Sequence, residues 1–145
     1  MDRFIGTWRL ISFEMKSEKG DVLYPFGKDS LGYIMYNHDG YMSVNFMKAG
    51  RPLFASPDIS LGNSEEKASA MDTYISYCGK YEVDGDQVVH HIEVSWFPNW
   101  SGIDQVRYYE FSGNRLTLKT PPVKAYGESY TGALVWERVE PHRGK

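Results

Sequence analysis

Apolar and polar positions alternate with a period of two along most of the chain, the pattern of strands that bury one face. Residues 7–15 (TWRLISFEM) open the series, with Trp8, Leu10 and Ser12 predicted on one face and Ile11 and Phe13 on the other. Gly20, Pro25, Gly27 and Gly32 break up the next stretch, leaving at most a short extended piece at residues 22–24. Residues 32–36 and 41–47 are rich in rings and β-branched side chains and are joined by Asn37-His38-Asp39-Gly40. The Asp-Gly step predicts a hairpin there. Residues 51–62 contain Pro52, Pro57 and Gly62 and are predicted irregular, crossing an opening or an edge. Asn63-Ser64-Glu65-Glu66 then combines a cap residue with early acidic residues, and Ala68, Met71 and Ile75 recur at helical spacing, which predicts one short helix.

The period returns to two from about Tyr74. Tyr77, Gly79, Tyr81 and Val83 share a predicted face opposite Cys78, Lys80 and Glu82, and Asp84-Gly85-Asp86 turns the chain. In residues 87–97 (QVVHHIEVSWF), Val88, His90, Ile92, Val94 and Trp96 form the apolar face, and Val89, His91, Glu93 and Ser95 the polar one. Strands at residues 105–111 and 115–119 flank a Ser112-Gly113-Asn114 turn, Pro121 and Pro122 interrupt, and residues 130–139 close the series. About eight strands and one helix in a meander, with no βαβ rhythm, predict an all-β antiparallel barrel or a sandwich.

Composition narrows the class. A chain of 145 residues that is 41% hydrophobic predicts one domain, taken here as residues 1–140 with a tail at 141–145. The formal charge of -3 gives no field for a polyanion, so nucleic acid is not an expected partner. Residues 1–10 carry Asp2, Arg3 and Arg9 around a short apolar stretch, unlike a signal peptide, and no run is long enough to span a membrane. The single cysteine, Cys78, excludes an internal disulfide, and a cytoplasmic location is expected. Aromatic residues make up 15% of the chain, well above what a charged, disordered chain would carry, and they are the main clue to function.

Three local patterns together resemble a known family. Phe4-Ile5-Gly6-Thr7-Trp8-Arg9-Leu10 resembles the GxW opening strand of lipocalins and fatty-acid-binding proteins, and Val135-Trp136-Glu137-Arg138-Val139 resembles their closing strand. The rest, including Asp39-Gly40-Tyr41-Met42-Ser43, Gly79-Lys80-Tyr81, His90-His91, Phe97-Pro98-Asn99-Trp100 and Asp104-Gln105-Val106-Arg107, resembles the bacterial and fungal lipocalin-like domain family over nearly the whole length. The resemblance implies an up-and-down antiparallel barrel of about eight strands, of the calycin kind. One end would be closed by Trp8 with Arg138 stacked on it, and the other would be open to a cavity for a small organic molecule. It implies no particular reaction.

Candidate chemistry is then confined to a few side chains. His90 and His91 point to opposite faces of one strand and cannot share a metal ion, so no metal site and no cofactor is expected. An inward His90 among Val88, Ile92 and Trp96 is either a core histidine held by a neighbour or a catalytic base or ligand donor. Arg107 alternates with Tyr109 and Phe111. If inward, it either pairs with Asp104, Glu93 or another acid, or forks the carboxylate, enolate or phenolate of a ligand. Tyr77 and Tyr81 flank Gly79, which would leave space for a ligand or a ring. Trp100, in the loop after residue 97, and the 51–57 loop with its helix are the two candidate lids.

Three functions remain. The first is binding of a small, largely apolar metabolite, aromatic or acidic, by Tyr77, Tyr81, His90, Trp96, Trp100, Arg107 and Tyr109. The second is a cofactor-independent isomerase or cyclase in which His90, Arg107 or a tyrosine moves or stabilises a proton or an enolate. The third is a structural barrel whose rings fill the interior and whose outer face makes a homo-oligomer.

Overall fold

The computed structural model describes residues 3–144; Met1, Asp2 and Lys145, which include the ends of the expected N-terminal and tail segments, lie outside the described residues. In chain order the elements are β1 (Gly6–Ser17), β2 (Val22–Leu23), β3 (Leu31–Tyr36), β4 (Tyr41–Met47), α1 (Ser64–Asp72), β5 (Tyr74–Asp84), β6 (Gln87–Ser95), β7 (Asp104–Ser112), β8 (Arg115–Lys119), β9 (Val123–Ala125) and β10 (Glu128–Arg138). Each long strand pairs antiparallel with the next, and β10 returns to pair with β1, from Trp8 opposite Arg138 to Ser17 opposite Tyr130. That pairing closes an eight-stranded up-and-down barrel and leaves no long edge exposed. Between barrel and sandwich, the closure decides for the barrel. The short β2 and β9 are additions at its margin, paired to β1 and β10.

The predicted hairpin forms as read, with β3 and β4 paired from Leu31 opposite Met47 to Tyr36 opposite Met42. The helix also forms. Asn63 caps it, accepting from the Glu66 N–H while the Glu66 carboxylate accepts from the Asn63 N–H, a reciprocal capping box. It ends at Asp72, so Ile75, expected on the helix, lies in β5 instead. None of its side chains is buried.

Two bulges re-aim the side chains that strict alternation had assigned. In β1 the register slips between Leu10 and Ser12; Trp8 and Leu10 stay inward, but the inner face then passes to Phe13 and Met15. Between β5 and β6, Cys78 pairs with Val94 while Gly79 pairs with Ile92, leaving Glu93 as the extra residue. Val88, His90 and Ile92 point inward as predicted, whereas Val94 is 65% exposed and Trp96 turns to the outside, where its indole N–H donates to the Met71 carbonyl. The predicted inward position of Val94 and Trp96 is therefore corrected. Gly79 is corrected too, because a Cβ there would strike the His91 carbonyl of the bulged strand. The absent side chain makes room for β6 backbone, not for a ligand.

One end of the barrel is packed solid. Trp8 is buried, its indole N–H donates to the Phe4 carbonyl at 2.9 Å, and the Arg138 guanidinium lies 4.2 Å over its ring. Arg138 also ties the N-terminal turn down by donating to the Ile5 and Arg3 carbonyls. Gly6, at φ +132°, keeps the chain clear of that guanidinium, which a Cβ would meet at 2.8 Å. The turn inserts Phe4 as a plug, in edge contact with Tyr36, Tyr109 and Phe111 at 4.9–5.2 Å between ring centres. Among the described residues no helix is long and apolar enough to cross a membrane.

Candidate functional site

Above the packed floor the barrel is hollow. A cavity of about 310 Å³ opens at the other end, past Pro25 and the strap of residues 120–126. Its wall is mostly apolar, built by the inner faces of β1, β3, β4, β8 and β10 with Phe13, Ile34, Phe46, Leu118, Leu134 and Trp136 prominent. This size and character suit a small, largely apolar organic molecule.

The polar groups sit together on three adjacent strands. Tyr77 of β5, His90 of β6 and Arg107 of β7 all line the cavity, with Gln105 beside them. His90 is 1% exposed and held at both ring nitrogens: the Tyr36 hydroxyl lies 2.7 Å from Nε2 and the Tyr77 hydroxyl 2.7 Å from Nδ1. Burial, reinforced by the charge of Arg107 and then of His91, holds the imidazole well below the usual histidine range, so it is neutral. Burial likewise pushes the Tyr36 and Tyr77 hydroxyls up, although Arg107 draws Tyr77 partly back down. Both tyrosines stay protonated.

Arg107 is 9% exposed, and its Nη1 donates to the Gln105 side-chain oxygen at 3.1 Å and to the Val106 carbonyl at 2.9 Å. Among the described residues it forms no ion pair. The acids proposed for it are elsewhere: Glu93 is exposed at the bulge, and Asp104 is engaged on the outer surface. The rest of the guanidinium faces the Tyr77 hydroxyl and the cavity.

The other predicted residues divide. Trp100 lines the cavity from its single 3₁₀ turn, Pro98–Trp100, in edge contact with Tyr77 and with Trp96 behind it. Tyr81 and Tyr109 do not line it. Tyr81 is buried toward the floor against Tyr36 and donates to the Asn37 carbonyl, and Tyr109 donates to the Gly85 carbonyl at 2.6 Å. Of the two candidate lids, the 97–102 loop reaches the cavity through Trp100, while the 51–57 loop and α1 face a separate shallow groove. The strap from Thr120 to Tyr126 was missed because Pro121 and Pro122 read only as an interruption. Trp136 was noted only within the closing-strand motif, although its alternation with Leu134 already placed the two on one face.

His91 points outward as expected, and it is held by Asp104 at 2.7 Å and Glu82 at 2.8 Å. Those hydrogen bonds, Asp104 first, raise its pKa. A histidine raised in the folded state stabilises most below its unfolded value and loses that contribution as pH rises through the folded value. The unfolding free energy of wild type over His91→Gln should therefore exceed zero in mildly acidic buffer and shrink in mildly alkaline buffer. Solvent screening limits the difference to about 0.5–1 kcal/mol. Parallel pH profiles of the two proteins in urea titrations would contradict it.

The sequence profile of the lipocalin-like domain family matches residues 5–139. The chain is 31% identical over 107 residues to the 4'-hydroxy-3'-methoxypropiophenone carrier protein ppsC of Aspergillus oryzae (strain ATCC 42149 / RIB 40), an alignment covering 68% of this chain and 96% of the relative. Among solved structures it is similar to a lipocalin-like protein from Bacteroides uniformis ATCC 8492, at 12% identity and a TM-score of 0.49, covering 94% of this chain and 99% of the other. A family match that takes in the opening Gly6-Thr7-Trp8, the closing Trp136-Glu137-Arg138 and every strand between them leaves one assignment: the chain belongs to the lipocalin-like domain family.

Proposed function

We propose that the protein binds a small, largely apolar aromatic metabolite bearing oxygen substituents, holding it in the barrel cavity between Trp100, Tyr77, Arg107 and the apolar wall. One observation carries the reading: a buried arginine lines a mostly apolar cavity with no carboxylate to pair with among the described residues. The two neutral oxygens on Nη1 leave the charge of the guanidinium unbalanced, a costly state that an oxygen-bearing ligand relieves. The relative named as a carrier of an aromatic ketone supports the same ligand class. The lone Cys78 supports a cytoplasmic setting.

Binding is favoured over an isomerase or cyclase by the state of His90. Both of its nitrogens are committed to tyrosines and its ring is neutral and buried, so it offers no free lone pair to a substrate proton.

The test uses the two tryptophans in the wall. Titrating the protein with 4'-hydroxy-3'-methoxypropiophenone should quench Trp100 and Trp136 fluorescence saturably, with a dissociation constant in the micromolar range. A linear response with no saturation for this compound and for other single-ring aryl ketones would overturn the proposal.

A further inference from the structure

The cavity is unbalanced in its hydrogen-bonding groups. Among the described residues its wall carries two positive charges, Arg107 inside and Lys124 at the mouth, and no Asp or Glu, although the whole chain has a formal charge of -3. Two of its side-chain acceptors are already in use: the Gln105 oxygen takes Arg107, and the Thr120 hydroxyl takes the Gly132 N–H at 2.7 Å. Donors, by contrast, are left over. The Trp136 indole N–H is buried in the cavity wall with no partner among the described residues. An orphaned indole N–H of this kind is uncommon in a folded core and marks a place that an acceptor fills.

The tyrosine pair adds a further donor through the tautomer of His90. A neutral imidazole donates from one nitrogen and accepts at the other. If Nε2 carried the hydrogen, it would donate to Tyr36, whose own hydroxyl proton would then be buried with no acceptor, since its hydroxyl bonds to nothing but His90 among the described residues. With the hydrogen on Nδ1, Tyr36 donates to Nε2 and Nδ1 donates to Tyr77, and every buried group on that side is satisfied. The Tyr77 oxygen then accepts from Nδ1 with Arg107 beside it, and its own proton is left for the cavity that Tyr77 lines.

We propose that Arg107 and Tyr77 form an oxyanion receptor which takes the ionised oxygen of an aromatic ligand, that the Trp136 N–H receives a second acceptor on the same ligand, and that Tyr36 is a positioning residue that aims the Tyr77 proton through His90. The proposal rests on the binding reading above and adds the ionisation state and polarity of the ligand. The chemistry is an arene with one anionic oxygen and a second acceptor across the ring, and the anion is a phenolate or a carboxylate.

Three probes distinguish the sources: 4-nitrophenol, 4-nitrobenzoate and the neutral 4-nitroanisole. Near the pKa of free 4-nitrophenol the bound form should show the phenolate absorption band, its titration midpoint moved about one pH unit or more to the acid side, equivalent to about tenfold tighter binding of the anion. Tighter 4-nitrophenol than 4-nitrobenzoate identifies the phenolate, and the reverse order the carboxylate; 4-nitroanisole should bind about tenfold or more weakly than either. Tyr77→Phe and Tyr36→Phe should each reduce the acid shift and weaken the anion several-fold, with a smaller effect on 4-nitroanisole than on the anion. Trp136→Phe should narrow the advantage of 4-nitrophenol over phenol. Failure of all three probes to bind would count against the binding reading itself. Binding of 4-nitrophenol as the neutral phenol, or a Tyr36→Phe protein with the wild-type acid shift, would overturn the receptor while leaving that reading intact.

Discussion

Arg107→Met should lose the acidic ligand and gain stability when empty. In the free protein Arg107 is buried, lines a mostly apolar cavity and has two neutral acceptors among the described residues, the Gln105 side chain and the Val106 carbonyl. Methionine matches much of its length, adds apolar surface to the wall and removes a charge that has no counter-ion among the described residues. Exchanges of this kind are often neutral or stabilising, and a gain of about 1 kcal/mol in urea unfolding of the empty protein is expected. Affinity for an anionic aromatic ligand should fall about a hundredfold, or about 2.7 kcal/mol, because charge-assisted hydrogen bonds disappear at once. Opposite signs on stability and binding are the mark of a residue kept for its ligand. A loss of about 3 kcal/mol or more in the empty protein would instead identify Arg107 as a structural pair whose partner was left stranded.

How much of this was readable from the chain depends on which rule each residue obeys. Strands and the hairpin follow period-two alternation and the Asp39-Gly40 turn, both local signals, and they recur in the structure almost residue for residue. Inward and outward assignments follow alternation only until a bulge. One extra residue, Glu93, carries the error past it, which is why His90 was placed on the correct face and Trp96 was not. Nothing in the residue types of β6 announces that slip; the signal lies in Gly79 on the neighbouring strand, which has to admit the displaced backbone. For Arg107 the sequence posed the right alternatives, and only the three-dimensional pairing of Asp104 with His91 removes one of them. The His90 clamp was half visible. Tyr77 stood out beside Gly79, but Tyr36 lies 54 positions away and meets His90 only because the barrel curves round.

Phe4 escaped notice as a core residue because it precedes the first alternating stretch, and it carries the other large prediction. The ring is 1% exposed and meets three aromatic rings from β3 and β7, while the backbone around it is held to Arg138 at the opposite end of the chain. Phe4→Ala should therefore cost about 3 kcal/mol in urea unfolding, the lower part of the range for emptying a buried phenylalanine site, because an N-terminal turn can relax into some of the space. The denaturant slope should stay unchanged, as the surface exposed on unfolding hardly differs. Phe4 does not line the ligand cavity, so affinity for 4-nitrophenol should remain near wild type under conditions where the variant is still folded. Arg138→Met removes the ring contact with Trp8 and the two carbonyl bonds but leaves the plug in place, and should cost less than Phe4→Ala. A cost below about 1 kcal/mol for Phe4→Ala would mean that the turn is only laid over a base that Trp8 already closes. A drop in affinity comparable with that of Arg107→Met would mean that floor and cavity are one continuous space, and that the aromatic surplus is shared between them rather than divided at Tyr36 and His90.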